Sequence, residues 1–582
     1  MTSQPLALQR PLTRLAPSAQ YISRINCKVT AVWLSPTSRR ADVRILSEIM
    51  NISESDKPQR IAVIGGGISG LSAACYLHHE LQSLGHQLVN SQGNANSQVV
   101  LFESSSRVGG VIETLDMSDA SPGKASPSND SPSNDSHGGP FPFANIVEKG
   151  ADNFATLMPD ALELSRLVGA EDMLIKPRLE SRLARVVCRG EIYPIPEGFS
   201  LMQPTRLLPL LRSPILSIFG KFRVLREFFV SKNASDEDES LKSFAIRRLG
   251  REAFDRLVEP IIGGIFTADA GLLSMKAAMP QFVEMERKYG GLIRAARSTK
   301  SHFISTQPNL ESSESQLRRS SQKATGARYD QFLAPRLGMN AWLGHIANWL
   351  PAGVIQLNSP IDRIELNQQR QWQLESSNRS AALEQLLQEP FDALIVATPS
   401  QVAGRLLKSV DKELGEGLTS IQYADSAVVC LCVERSEISK EHLCFGIVIP
   451  KIERRDCLAI SLTSEKYEGR MDGSKVLLRI FMGGAVRPEL MTESDNTLTE
   501  LAWNEAKSLL RLKTEPSWSR VVRWPSAMPQ YHVGHLARLE SIQTRVDALP
   551  RFALAGNAYR GVGIPQCVRS GKIAAKKVLA AR

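Results

Sequence analysis

Hydrophobic runs of four to nine residues, separated by polar stretches, divide this chain into strand-like and helix-like segments. Ile61-Ala62-Val63-Ile64 is a short apolar run of the kind that forms a strand buried on both faces. It enters Gly65-Gly66-Gly67-Ile68-Ser69-Gly70, and Leu71 to Leu77 beyond has helical composition. A second buried strand is predicted at Val99–Glu103, and a third at Phe391–Pro399, where a turn ends it. Residues 353–366 read as a strand pair. Residues 158–300 read as mainly helical, and strand-like runs at Ala427–Val433, Phe445–Ile449 and Val476–Phe481 suggest the sheet of a second domain. Residues 116–142, with a tandem SPSND, and about 305–327 are polar insertions that cannot bury enough apolar surface to pack.

The order strand, glycine turn, helix is the context that a dinucleotide fingerprint requires. Gly65 permits the tight turn, Gly67 lets backbone approach a pyrophosphate, and Gly70 lets the helix pack on the strand. Phosphates there meet free N–H groups and the positive end of the helix dipole. Glu103, closing the second strand, is positioned to accept hydrogen bonds from ribose hydroxyls and disfavours a 2′-phosphate by repulsion. Ser104 follows it. The gap between Gly70 and Glu103 is longer than the usual ~20 residues, and the polar residues 85–98 account for it as a loop insertion. Cys430 and Cys432 share one face of a strand, where they read as core.

Composition narrows the function classes. The 582 residues suffice for about two to four domains. A hydrophobic content of 42% describes a globular protein, and no run of ~18 apolar residues suggests a membrane span. The net charge of +10 suits an anionic substrate or membrane surface better than nucleic acid, because no Lys/Arg block is interleaved with aromatics. The eight cysteines show no metal-ligand spacing and fit a reducing, cytoplasmic setting; no metal site is expected. Residues 1–49 are basic and superficially similar to a transit peptide. A disordered extension, or a true start at Met50, is the favoured reading. Leu201–Phe229 is apolar and studded with Arg206, Arg212, Lys221, Arg223 and Arg226, with no acid before Glu227. Such a segment suits peripheral contact with an anionic membrane or, alternatively, a helical lid over an apolar channel.

Arg107-Val108-Gly109-Gly110 resembles the second phosphate-contacting motif of two-dinucleotide-binding flavoproteins, which favours FAD over a Rossmann unit binding NAD. From about residue 58 onward the chain resembles the oxygen-dependent, FAD-containing protoporphyrinogen/coproporphyrinogen III oxidases. These belong to the amine-oxidase and phytoene-desaturase-like flavoproteins. The residues that carry the resemblance include Ile195-Pro196-Glu197-Gly198, Arg251–Arg256, Pro260–Pro280, Gly290-Gly291-Leu292-Ile293 and Phe445–Pro450. They continue with Trp524, Met528-Pro529-Gln530-Tyr531-His532-Val533-Gly534-His535 and Gly561–Gly571. Arg336-Leu337-Gly338-Met339 departs from the usual Gly-Gly-Met, and Asn557 replaces a common acid. Ser200 stands where animal and plant forms resemble an arginine, which leans toward the bacterial branch.

The resemblance implies an α/β fold with an α+β second domain: a discontinuous Rossmann-like FAD domain, a mixed-sheet substrate domain and a helical insertion. The expected division is an extension at 1–57, FAD-domain parts at 58–157, 331–410 and 541–582, and a helical region at 158–300. A polar linker at 301–330 and the substrate-domain sheet at 411–540 complete it. The resemblance also implies FAD contacts at Gly65–Gly70, Glu103, Ser104, Arg107, Gly109, Gly110, Gly150, Ala151, Asp152, Asn153, Ile361, Val562, Gly563 and Ile564. The implied reaction is six-electron oxidation of a porphyrinogen in haem synthesis, with O₂ reduced to H₂O₂. The flavin carries the chemistry, so no catalytic side chain is assigned. Propionates call for cations, with Arg182, Arg206 and Lys276 as candidates. Possible partners are haem-pathway enzymes, a second copy of the chain and the inner face of the cytoplasmic membrane. An amine oxidase or carotenoid desaturase shares the FAD motifs. A non-enzymatic flavin-binding assembly protein is the remote alternative.

Overall fold

The computed structural model describes residues 60–83, 98–117, 145–178, 180, 183–233, 235–305 and 332–580. The N-terminal extension, the SPSND repeat, the 85–98 insertion apart from Gln98, most of the 305–327 insertion and Arg182 lie outside them.

Five parallel strands form the nucleotide-side sheet, in the order Ile355–Gln356, Gln98–Phe102, Arg60–Ile64, Ala393–Val396, Phe552–Leu554. The strands come from distant parts of the chain, so the sheet is assembled discontinuously. Side chains alternate between two buried faces, as the two-residue period of a strand requires. Ile61, Val63, Val99, Leu101 and Ile395 point into one core. Ala62, Ile64, Val100, Phe102 and Leu394 point into the other. That is why these runs are apolar throughout. Helices Ile68–Ser83 and Ile564–Ala580 cover the first face side by side. Lys572 lies over the Tyr76 ring and Lys576 pairs with Glu80, so the two helices run in the same direction.

The 353–366 reading needs correction. Ile355–Gln356 joins the edge of the parallel sheet, whereas Arg363–Leu366 pairs with Trp372–Glu375. The two strands face different partners because a turn separates them.

The second sheet has seven strands, ordered Trp518–Pro529, Tyr423–Glu434, Lys475–Gly483, Ala459–Leu462, Gly446–Val448, Ala184–Cys188, Glu191–Pro194. Only the pairing of Gly446–Val448 with Ala184–Cys188 is parallel, so the sheet is mixed. Ala184–Cys188 and Glu191–Pro194 fall within the interval read as helical. Their hairpin is completed by strands more than 250 residues later, which local composition could not show. One face of the sheet packs on helix Asp495–Leu510, and the other carries Cys430, Cys432 and Leu477 against Val147. The helical region, from Leu207–Arg212 to Leu292–Ser305, has its own core around Phe244, Leu257 and Ile262.

Candidate active site

The carboxyl ends of the parallel strands converge on three turns. After Ile64, Gly65 takes φ = 107°, and a Cβ there would meet the Ala397 carbonyl. A Cβ on Gly70 would lie 1.8 Å from the Gly65 carbonyl oxygen, so this position tolerates no side chain. Gly67 is different: a Cβ there would find no atom within 4 Å. The turn is therefore closed on its protein side and open above Gly67, at the start of helix Ile68–Ser83. The first N–H groups of that helix lack intrahelical acceptors. Ile68 and Ser69 are buried beneath the turn.

Glu103 is buried. Its Oε2 accepts the Gly66 N–H at 2.7 Å, and its Oε1 accepts from the Ser105 N–H and Oγ, both at 2.8 Å, and from Ser104 Oγ at 3.3 Å. The carboxylate thus locks the glycine turn to the second strand, a role that the sequence does not disclose. Ile361 follows the edge strand whose extension donates Ser359 N–H to the Glu103 carbonyl at 2.8 Å.

The second turn lies against the first. Gly109 N–H donates to the Gly66 carbonyl at 2.8 Å, and a Cβ on Gly110 would lie 3.5 Å from Gly67 Cα. Arg107 is partly exposed but bonds back onto its own loop. Its guanidinium donates to the Val108, Gly110 and Ile112 carbonyls and pairs with Glu113 at 2.8 Å. Glu113 also pairs with Lys149 at 2.6 Å, which ties this loop to Gly150.

The third turn joins strand Phe552–Leu554 to helix Ile564–Ala580. Gly556 (φ = 145°) and Gly561 (φ = 125°) bend it. The helix approaches so closely that a Cβ on Gly571 would sit 2.2 Å from the Ser69 carbonyl oxygen. Val562 and Gly563 lead directly into helix Ile564–Ala580, whose first N–H groups lack intrahelical acceptors. Cys567 is buried against Ser69; burial pushes its thiol up to about 11, so it is an inert packing group.

Residues 150–153 meet the second sheet through a buried ionic cluster that sequence reasoning missed. Asp152 Oδ2 lies 3.0 Å from Lys466 Nζ and 3.5 Å from Arg479 Nη1, and Asn153 donates to its Oδ1 at 2.8 Å. Arg479 also donates to the Gly150 carbonyl. Burial is the largest influence on Asp152 and works to raise its pKa. Lys466, then Arg479 and Arg470, outweigh it and hold the carboxyl below its ordinary value. Burial pushes Lys466 down, against the pull of Asp152. Beside them Arg470 pairs with Glu148 at 3.4 Å and donates to the Pro335 carbonyl at 2.6 Å. Glu148 accepts from Thr114 Oγ1 at 2.7 Å and Met339 N–H at 2.9 Å; burial raises its pKa, with Arg470 the chief opposing influence. Partners about 190 to 330 residues apart left no local signal.

The two described substrate candidates are already engaged. Arg206 pairs with Glu197, and Lys276 with Asp236 at 3.1 Å.

An open glycine cradle, a carboxylate locked beside it and two helix N-termini at the carboxyl ends of one sheet suit a flavin dinucleotide. Residues 68–579 match the family of flavin containing amine oxidoreductases. The chain belongs to that family. It binds FAD, and the open space over Gly67 fits the group. The chain is 26% identical over 526 residues to coproporphyrinogen III oxidase of Bacillus subtilis, spanning 90% of this chain and 99% of that one. It is 24% identical over 541 residues to protoporphyrinogen oxidase 2 of Arabidopsis thaliana, spanning 90% and 95%. A crystal structure assigned as a protoporphyrinogen oxidase, from Exiguobacterium sp. 255-15, shares the fold. Its TM-score is 0.68, its identity 22%, and the match covers 89% of this chain and 98% of that one.

Proposed function

We propose that this family member oxidises a porphyrinogen in haem synthesis, with coproporphyrinogen III as its substrate and O₂ as its electron acceptor. The observation that carries the reading is the similarity to coproporphyrinogen III oxidase along nearly the whole of both chains. When bound, FAD supplies the electron sink for loss of substrate C–H hydride. On this reading Gly65–Gly70, Gly109 and Gly110 receive the pyrophosphate, and Glu103, Ser104 and Ile361 line the nucleoside side. Gly150–Asn153 and Val562–Ile564 border the flavin, while Arg107 acts indirectly by stiffening its own loop.

Asp152 and Glu148 are committed to buried cations, so neither serves as a general base. The joint instead holds residues 150–153 against movement. The test is aerobic turnover of the yellow protein with coproporphyrinogen III and, separately, protoporphyrinogen IX. Porphyrin and H₂O₂ formation fastest with the tetracarboxylate is expected. Preference for the dicarboxylate reassigns the substrate, and no turnover of either refutes the reading.

A cytoplasmic setting with contact at the inner membrane face is proposed as well. Seven described cysteines are unpaired and buried, which suits a reducing compartment. No helix among the described residues is long and apolar enough to cross a membrane. Ile218, Phe219, Phe222 and Phe229, however, are 66–86% exposed within twelve residues. Arg212 and Arg226 are exposed among them, and Arg294 and Arg297 lie over Phe228. Glu227, the one acid of this stretch, is fully buried on Arg248. The exposed charges of Leu201–Phe229 are therefore all cationic and lie beside exposed apolar side chains, as an anionic bilayer surface requires. Flotation with phosphatidylglycerol vesicles but not phosphatidylcholine vesicles, lost in F219S/F222S, is the expected result. Equal flotation of both proteins contradicts it.

A further inference from the structure

Tyr531 belongs to no group that the proposed reaction uses, yet it is almost completely buried at a meeting point of three elements. It follows strand Trp518–Pro529, and its carbonyl accepts the Ser274 N–H of the helical region at 2.7 Å. Its neighbours bind to the same region: Val533 N–H donates to the Leu272 carbonyl at 2.9 Å, and His532 bridges Leu273. The backbone of Tyr531 is therefore fixed. Its hydroxyl reaches the turn before helix Ile564–Ala580. There it donates to the Asn557 carbonyl and accepts the Gly561 N–H at 2.8 Å.

Asn557 and Gly561 bracket Ala558, Tyr559 and Arg560, so a single hydroxyl ties this loop at both ends. A second tie runs parallel to it. The Tyr531 ring stacks on His535 with centroids 4.3 Å apart and planes at 13°. His535 Nε2 bonds the Tyr559 carbonyl at 3.2 Å. Burial is the main influence on His535 and lowers its pKa to about 4, so the ring is neutral and Nε2 donates. Val562, two residues before the helix, packs against the same helical-region core as Tyr531.

A turn bent by two glycines has many backbone conformations available and loses much entropy on ordering. Holding it in one of them beforehand lowers the cost of binding a ligand. We propose that Tyr531 is a positioning residue for FAD. Its hydroxyl fixes the Ala555–Ile564 turn and thereby sets cofactor affinity and the surroundings of the flavin. His535 backs it from the stacked side. The inference rests on the FAD fold and is independent of which porphyrinogen, if any, is oxidised.

The test compares purified full-length Y531F with the unchanged holoenzyme. Release of FAD on dialysis is followed by flavin fluorescence, the visible flavin spectrum is recorded, and unfolding of the apoprotein is measured by circular dichroism. Removing the hydroxyl leaves the Gly561 N–H and the Asn557 carbonyl unpaired. The expected result is a rise of roughly tenfold in the FAD dissociation constant and an altered flavin band. The apoprotein unfolding temperature is expected to stay nearly constant. H535F, which keeps an aromatic neighbour but loses the tie to Tyr559, should weaken FAD binding by roughly threefold. An unchanged dissociation constant and spectrum in Y531F overturns the proposal. So does FAD loss that merely parallels a lowered unfolding temperature of the apoprotein, because Tyr531 is then only a structural brace.

Discussion

The glycine turn and the ionic joint border the same site but are built in opposite ways. At Gly65–Gly70 the chain removes side chains, and position is fixed by backbone, by Glu103 and by a helix packed within touching distance. At residues 148–153 it does the reverse, drawing five charged side chains out of water and setting them against one another. The turn is contiguous in sequence, though Glu103, the Ala397 carbonyl and the helix carrying Gly571 close on it. The joint ties residues 148–153 to Lys466, Arg470 and Arg479 of the second sheet and its connections, so its geometry reports whether these distant parts of the chain are correctly apposed. Damage at the open Gly67 should therefore remove the cofactor while sparing the fold, and damage to the joint should do the opposite first.

The largest expected effect comes from splitting the joint. R470M leaves Glu148 buried without its cation and should cost about 3–5 kcal/mol. E148Q/R470M should recover part of that loss, because no uncompensated charge remains. Urea unfolding of the apoproteins measures both. Equal stability of R470M and the unchanged chain would show that this apposition does not depend on the pair.

G67A gives the opposite pattern. Its methyl meets no protein atom, so apoprotein stability should change by less than about 1 kcal/mol. It would occupy the space assigned to the pyrophosphate, and FAD affinity should fall at least about tenfold. G70A, whose methyl strikes the Gly65 carbonyl, should lose both fold and cofactor. Flavin content after gel filtration, read beside circular dichroism, separates the three proteins.

A smaller effect concerns pH. The Asp152 carboxyl is held below its ordinary value of 3.8, so it binds protons less readily in the folded chain than in the unfolded one. Its contribution to stability is present above pH 3.8 and is lost as pH falls through the lower folded value. Glu148, raised by burial above 4.5, works the other way, and its contribution is greatest below that pH. D152N should therefore be less stable than the unchanged chain at pH 7. The gap in urea midpoints should narrow below pH 3.8. A gap that widens on acidification would contradict the assignment.

The same comparison explains what the sequence disclosed. Ile61–Gly70 declares itself because strand, turn and helix are contiguous. Glu103 was legible as an acid ending a strand, but its bond to Gly66 was not. Lys466, Arg470 and Arg479 looked like ordinary charges, since nothing near them in sequence identifies Asp152 or Glu148 as partners. Arg206 and Lys276 show the converse: each reads as an unpartnered cation in the sequence, and the structure pairs them with Glu197 and Asp236. Tyr531 lay within a recognisable motif, yet its function depends on a loop 26 to 30 residues later.

The most direct measurement is anaerobic mixing of the FAD-loaded protein with coproporphyrinogen III, followed at the flavin absorbance. Rapid bleaching that reverses on admitting O₂, with coproporphyrin III as product, is the expected result. A flavin that stays oxidised with this substrate and with protoporphyrinogen IX would contradict porphyrinogen oxidation and leave only the FAD-binding fold.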